Sequence, residues 1–155
     1  MTAPPAVIEC TRNGFTISTD KARLDVSAIH DFLANSSYWA RNVPLSTVQK
    51  SIENSLCFGI YDDNGGRQVG FARVITDYVV LAYLVDVFIL EAYRGRGLAK
   101  WLMACIVSHP ELQNLRRWML ATKDAHGLYA QYGFNPLSKP ERFMEASQPA
   151  AQRSR

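Results

Sequence analysis

Residues 86–99 read DVFILEAYRGRGLA, and this stretch decides the fold. An apolar strand runs into a turn rich in glycine and arginine, and a helix with an apolar stripe begins at Gly97 or Leu98. A strand, a glycine turn and a helix N-terminus together collect free backbone N–H groups. The junction therefore predicts a phosphate-binding site, because the positive end of the helix dipole points toward the same N–H groups.

The overall composition is that of an ordinary single domain. The chain has 155 residues, of which 48% are hydrophobic and 20% are charged, and this length can bury a core without disulfides. The net charge of +3 is small and the basic residues are scattered, so no nucleic-acid partner is expected. No apolar run is long enough to span a bilayer, and no signal peptide is visible. We therefore expect a cytoplasmic protein without a membrane partner.

The cysteines favour a structural interpretation. Cys10, Cys57 and Cys105 are far apart and form no C-x-x-C pair. This spacing predicts small buried side chains in a reducing compartment rather than zinc ligands or a disulfide framework. We expect no metal site.

Residue patterns upstream and downstream predict an α/β domain with the element order β-α-α-β-β-β-α-β-α-β-β. Helices are expected after the N-cap residues Asp25, Ser46 and Asp124, and after the glycine turn. An antiparallel meander should switch to a parallel pair at that turn, because a helix separates the two strands there. We expect one domain over residues 1–145 and a disordered tail over 146–155. Strands are predicted at residues 15–19, 56–61, 68–76, 80–89, 118–122, 134–137 and 142–145.

Two short motifs carry most of the chemical information. The first, Arg94-x-x-Gly97-x-Ala99, is neither a P-loop nor a dinucleotide-binding fingerprint, because the required spacings are absent. The second is Ala125-x-x-Leu128-Tyr129-x-x-x-Gly133-Phe134. Its apolar residues would hold a helix against the sheet. Tyr129 is then either a core aromatic with a satisfied hydroxyl or a group that serves a site.

In this order, the two motifs resemble those of the GNAT superfamily, the acetyl-CoA-dependent N-acetyltransferases. The resemblance covers roughly residues 8–145 and is most specific at residues 94–99, which match the signature Q/R-x-x-G-x-G/A. The upstream half matches in element order more than in residues. The resemblance implies a single GNAT-like domain with a mixed, mostly antiparallel sheet, in which the fourth and fifth predicted strands splay around the cofactor.

The resemblance also implies acetyl-CoA as the cofactor and assigns residues to it. The pantetheine arm would pair with the backbone of Val87, Phe88 and Ile89. Tyr129 matches the tyrosine that protonates the departing coenzyme A thiolate. Thr122 stands where many members have asparagine, although its hydroxyl could still reach the cofactor. The pyrophosphate would sit on the amides of Arg94, Gly95, Arg96, Gly97, Leu98 and Ala99.

Asp86 is unusual because its neighbours on both faces of the strand, from Leu84 to Phe88, are apolar. A carboxylate there is costly to bury unless it is paired or opens onto a cleft. Many GNAT members carry an acidic residue eight positions before the signature arginine, which takes a proton from the acceptor amine directly or through water. The structural alternative is a bond from Arg73 or from a backbone N–H.

The acceptor site is expected between the first loop and the middle strands. An aromatic wall there would suit an apolar, aryl or cationic acceptor, and an arginine could hold a carboxylate. The expected function is acetyl transfer to a primary amine of a small molecule, by direct attack in a ternary complex. A non-catalytic acyl-CoA-binding sensor, a protein lysine or N-terminal acetyltransferase, and a homodimer paired through the terminal strands remain open. The candidate acceptor residues are Tyr38, Trp39, Arg41, Arg73, Tyr78 and Tyr83.

Overall fold

The computed structural model describes residues 3–148, and a six-stranded sheet forms its centre. Strands that follow each other in the chain are also neighbours in the sheet. The first five strands pair antiparallel, and the last pair is parallel. The predicted mixed sheet is therefore confirmed. The strands are β1 (Glu9–Arg12), β2 (Phe15–Ser18), β3 (Leu56–Asp62), β4 (Gln68–Thr76), β5 (Leu81–Ile89) and β6 (Arg117–Leu120).

Helices cover both faces of the sheet. The α-helices are α1 (Val26–Ser36), α2 (Leu45–Glu53), α3 (Leu98–Val107) and α4 (His126–Ala130). Helix α1 begins as predicted, because the Asp25 carboxylate accepts a hydrogen bond from the Ala28 N–H at 3.0 Å. Short 3-10 turns occupy Lys21–Arg23, Glu91–Tyr93, Pro110–Leu112 and Pro140–Arg142.

Two hydrophobic clusters hold these layers together. The first packs α3 and Tyr129 of α4 against one sheet face, with Leu102, Met103 and Ile106 fully buried. The second packs α1 and α2 against the other face, through Ile29 and other side chains. The sheet therefore lies between two helical layers. A loop that connects one helical layer to the other must cross one end of the sheet.

The two ends of the chain correct the predicted element order. Strand β1 was missed; it pairs with β2 through a tight turn at Asn13 and Gly14, both at positive φ. The predicted terminal strands at 134–137 and 142–145 do not form in the described part of the chain. Proline has no backbone N–H to donate to a neighbouring strand. Pro136 lies within the first of these stretches, and Pro140 lies just before the second. The observed order is β-β-α-α-β-β-β-α-β-α, so the basis for a dimer through terminal strands is lost.

Two predicted helix caps are also wrong. Ser46 lies inside α2, which follows Pro44 without a side-chain cap. Asp124 does not cap α4; instead the Thr122 hydroxyl accepts a hydrogen bond from the Ala125 N–H at 3.1 Å.

Residues 149–155 of the predicted tail lie outside the described residues. Within residues 3–148, no helix has the length and hydropathy needed to cross a membrane.

Candidate active site

The glycine turn between β5 and α3 presents a row of free backbone donors. Gly95 and Gly97 adopt φ angles of 79° and 76°, in the left-handed region that glycine tolerates best. The first helical bond runs from the Trp101 N–H to the Gly97 carbonyl at 3.1 Å. Within residues 3–148, none of the six N–H groups from Gly95 to Lys100 donates to a protein acceptor. Free N–H groups at the positive end of a helix dipole favour the binding of an anion.

Side chains around this turn hold it in place. The Arg94 Nε donates to the Ile89 carbonyl at 3.0 Å, which ties the turn to the end of β5. The Tyr93 hydroxyl donates to an Asp62 carboxylate oxygen at 3.1 Å. The Arg96 guanidinium lies 5.1 Å from the centroid of the Tyr93 ring and remains exposed. A cavity of about 300 Å³ borders the turn at Arg96, Gly97 and Leu98.

Strands β5 and β6 separate beside the turn. Their parallel register runs from Leu81 opposite Arg117 to Leu84 opposite Leu120 and ends there. Strand β5 continues for five more residues, to Ile89, without a neighbour on that side in the described chain. The backbone of residues 85–89 therefore offers a free edge that an extended ligand can pair with. This edge includes the predicted cofactor residues Val87, Phe88 and Ile89.

A β-bulge reorients the residues at this point of β5. Arg73 lies opposite Val85, but the next aligned pair is Phe71 and Phe88, so one residue of β4 faces two of β5. Asp86 is in the bulge with a φ of 58°, a left-handed conformation that aspartate adopts more readily than most residues. The extra residue switches faces: Leu84 belongs to the core beneath α3, and Phe88 to the core beneath α1 and α2.

The bulge places the Asp86 carboxylate in a polar network. The Arg73 Nε donates to Oδ2 at 2.9 Å, and the Trp39 indole N–H donates to Oδ1 at 2.8 Å. Arg73 also donates to the Ser55 hydroxyl at 3.0 Å. The Asp86 and Arg73 side chains are only 9% and 14% exposed. The structural alternative, a bond from Arg73, is thus realised, while each carboxylate oxygen can still accept a second hydrogen bond.

The loop between α1 and α2 crosses the gap between the separated strands. Trp39 contacts Asp86 of β5, and the adjacent Tyr38 hydroxyl accepts a hydrogen bond from the Lys123 N–H, after β6, at 2.9 Å. The two rings pack edge to face, with centroids 5.0 Å apart. Both side chains remain partly exposed, at 52% for Tyr38 and 40% for Trp39. The loop therefore forms a wall of the gap between β5 and β6, and its two aromatic side chains are partly exposed to solvent.

Tyr129 is buried in the core beneath α3 and packs edge to face against Phe134. Its hydroxyl makes no hydrogen bond within residues 3–148. Burial raises the pKa of Tyr129 above its ordinary value, and the nearby Tyr38 and Asp124 add to this increase. The hydroxyl therefore keeps its proton at neutral pH and can act as a donor.

The other predicted site residues are more dispersed. Arg41 is exposed, without a polar contact among the described residues. Tyr78 packs against the core beneath α3 and borders the same cavity as Ser55. Tyr83 is half-buried on β5, opposite Met119, and the Thr122 hydroxyl accepts a hydrogen bond from the Ala125 N–H. Ser55 was not among the predicted site residues. Its hydrogen bond with Arg73 joins two separate segments of the chain, so no sequence motif marks it.

Comparison with known proteins gives a consistent result. A family model described as "Acetyltransferase (GNAT) domain" matches residues 53–136. A solved structure from Xanthomonas campestris pv. campestris, described as belonging to the GNAT family of acetyltransferases, shares 50% identity with a TM-score of 0.83. The alignment covers 95% of this chain and 96% of that one.

A protein of Gibberella zeae named as an acetyltransferase is 34% identical over 141 residues, covering 78% of each chain. A structure from Clostridium acetobutylicum, described as an acetyltransferase with acetyl-CoA, shares the fold at 14% identity and a TM-score of 0.65. The alignment covers 86% of this chain and 94% of that one. The family match and these relatives agree with the geometry of the glycine turn and the separated strands: the chain belongs to the GNAT family of acetyltransferases.

Proposed function

We propose that this protein transfers an acetyl group from acetyl-CoA to a primary amine of a small molecule. The observation that carries the proposal is the row of six free N–H groups at the start of α3, beside the free edge of β5. Residues 94–99 would bind the pyrophosphate of coenzyme A, and the backbone of residues 87–89 would pair with its pantetheine arm. This arrangement would direct the thioester into the gap between β5 and β6.

The residues around the gap supply the proton transfers. Asp86 would take a proton from the amine, directly or through a water, as the nitrogen attacks the thioester carbonyl. A backbone N–H of Phe88 or Ile89 would stabilise the charge on the carbonyl oxygen. As the new C–N bond forms and the C–S bond breaks, Tyr129 would donate its proton to the leaving sulfur. The raised pKa of Tyr129 supports this role.

The cysteines support direct transfer over an acyl-enzyme: Cys57 and Cys105 are poor nucleophiles, and Cys10 lies on β1, at the sheet edge opposite β6. A nucleophilic cysteine must be a thiolate. Burial raises the pKa of Cys57 to about 11 and that of Cys105 to about 12, so both remain thiols at neutral pH. A ternary complex of acetyl-CoA, amine and protein is therefore the simplest route.

The loop between α1 and α2 favours a small acceptor. Tyr38 and Trp39 attach it to both sides of the gap, through Lys123 and Asp86. A wall held at two points narrows the opening and disfavours entry of a folded protein surface. We therefore rank a small-molecule amine above a protein lysine or N-terminus.

One observation favours a second function. Arg73 and Trp39 already engage both oxygens of Asp86, which would suit a binding module that holds acyl-CoA without turnover. Calorimetry with coenzyme A, followed by assays of thiol release from acetyl-CoA with a panel of primary amines, separates the two. Binding with amine-dependent thiol release supports the enzyme, and binding without release on any amine supports the module. Absence of binding contradicts both.

A further inference from the structure

The sheet face that carries Asp86 is only partly covered by helices. On the β4 to β6 side, Tyr83, Val85 and Met119 are half-buried and pack against neither hydrophobic cluster. Ile75 and Leu81 beside them are 43% and 37% exposed. We refer to these five apolar side chains as the Tyr83 surface. Apolar side chains next to a few polar groups are the usual lining of a small-ligand site.

The strand register shows that these side chains are contiguous. Ile75 lies opposite Tyr83, and Tyr83 lies opposite Met119, so the three form a row across β4, β5 and β6. Along β5, Leu81, Tyr83 and Val85 alternate onto the same face. With strand dimensions of about 3.4 Å per residue and about 4.8 Å between strands, the surface measures roughly 14 Å by 10 Å.

One end of the Tyr83 surface reaches the site. Val85 precedes Asp86 and lies opposite Arg73, whose guanidinium is neutralised by the Asp86 carboxylate. At the other end, Arg117 lies opposite Leu81, with its guanidinium 5.0 Å from the centroid of the Phe143 ring. The floor between these two ends consists of apolar side chains. An occupant whose charged group sits at Asp86 would therefore need an apolar body.

The size of the surface argues against a second copy of the chain as its occupant. Stable protein interfaces involve about 20–30 residues on each side, and the Tyr83 surface has five. We propose that it binds the body of the acceptor: a primary amine carried on an alkyl or aryl group, with the nitrogen at Asp86. This inference depends on the proposed function, because it identifies the class of amine.

The experiment uses a homologous series of ethylamine, butylamine and hexylamine, with ethanolamine as the polar member. Both kcat/KM and affinity for protein saturated with coenzyme A are measured, so one readout does not need turnover. Each methylene that the surface buries should improve both quantities about fourfold, or roughly 250-fold from ethylamine to hexylamine, and ethanolamine should show no gain.

Two variants and a control locate the effect. Ile75→Thr and Met119→Gln should flatten the dependence on chain length. Val79→Thr, which changes a 68% exposed valine outside the surface, should leave it intact. Thermal unfolding checks that each variant is folded. Turnover without dependence on chain length, or a dependence that survives Ile75→Thr and Met119→Gln, overturns the inference and leaves the proposed function standing. A dependence in affinity without turnover overturns the assignment of the surface to an acceptor, and so does absence of both; thiol release with the wider panel of primary amines then decides whether the proposed function stands.

Discussion

The two sides of the gap between β5 and β6 are built in different ways. The proposed cofactor side is one continuous stretch, residues 87–100, whose donors belong to the backbone. The acceptor side joins Trp39, Ser55, Arg73 and Asp86 from four separate segments through side-chain hydrogen bonds. A backbone site tolerates side-chain changes but not changes in dihedral angle, whereas a side-chain network fails when one member is lost. Substitutions can test this difference.

The largest effect is expected from Asp86→Asn. Loss of the proton acceptor should lower kcat by about 10²–10⁴-fold, and the unpaired Arg73 should lower the free energy of unfolding by about 3 kcal/mol. The double variant Asp86→Asn with Arg73→Met removes both charges and should restore much of the stability. If Asp86 is the proton acceptor, kcat remains low in the double variant. Recovery of kcat together with stability would show that Asp86 acts only as the partner of Arg73.

Tyr129→Phe should have the next largest effect, a decrease in kcat of about tenfold or more, because the leaving sulfur loses its proton donor. Coenzyme A affinity should not change. Since the pKa of Tyr129 is raised, the hydroxyl stays protonated above its ordinary pKa of 10.0. Activity should therefore fall only above pH 10, and a pH profile of kcat should lose this alkaline limb in the variant. An unchanged profile rules out Tyr129 as the acid.

On the cofactor side, Gly97→Val should weaken coenzyme A binding about tenfold, because a side chain costs about 1–2 kcal/mol in the left-handed conformation. No atom lies within 4 Å of the added Cβ, so the effect comes from the backbone alone. Gly14→Val is a matched control, with a φ of 83° and equally open space. Calorimetry with coenzyme A should detect the loss in the first variant alone; equal affinity in both contradicts the pyrophosphate assignment.

The smallest effect concerns Thr122, which tests whether a side chain contributes to the cofactor side. Because its hydroxyl accepts a hydrogen bond from the Ala125 N–H just before α4, Thr122→Ala should lower the free energy of unfolding by about 1 kcal/mol. Thr122→Ser should restore this hydrogen bond, and Asp124→Ala should change stability by less than about 0.5 kcal/mol. Chemical denaturation measures all three. A decrease in coenzyme A affinity in Thr122→Ala would place the hydroxyl against the cofactor as well.

The sequence predicted the backbone geometry of the glycine turn better than the side-chain network around Asp86, for a physical reason. Left-handed glycines, a helix start and an apolar strand are local signals, so the junction at residues 86–99 and the parallel pair could be predicted from residue types. Strand β4 was predicted to the residue, because a strong turn at residues 62–66 precedes it.

The acceptor side depends on contacts between residues that are distant in sequence. Trp39 and Asp86 are 47 positions apart, and no local pattern reports their hydrogen bond. The bulge at Asp86 arises because residues 70–76 of β4 pair with residues 82–89 of β5, a segment one residue longer, and neither strand shows this difference alone. Strand β1 was missed because its four residues are mostly exposed and lack an apolar pattern. Arg73 was named as a partner for Asp86 only because a buried carboxylate requires one.

The bulge also defines the smallest unit of this site that could be transplanted. Without the extra residue, Asp86 would share a face with Leu84 and point into the hydrocarbon beneath α3. Introducing an aspartate alone at the matching position of a regular sheet would therefore bury a charge without creating a site. A designer who wishes to install this chemistry elsewhere must move Ala72, Arg73 and the Asp86-Val87 pair as one cassette, with the residue count of each strand preserved and with partners equivalent to Trp39 and Ser55.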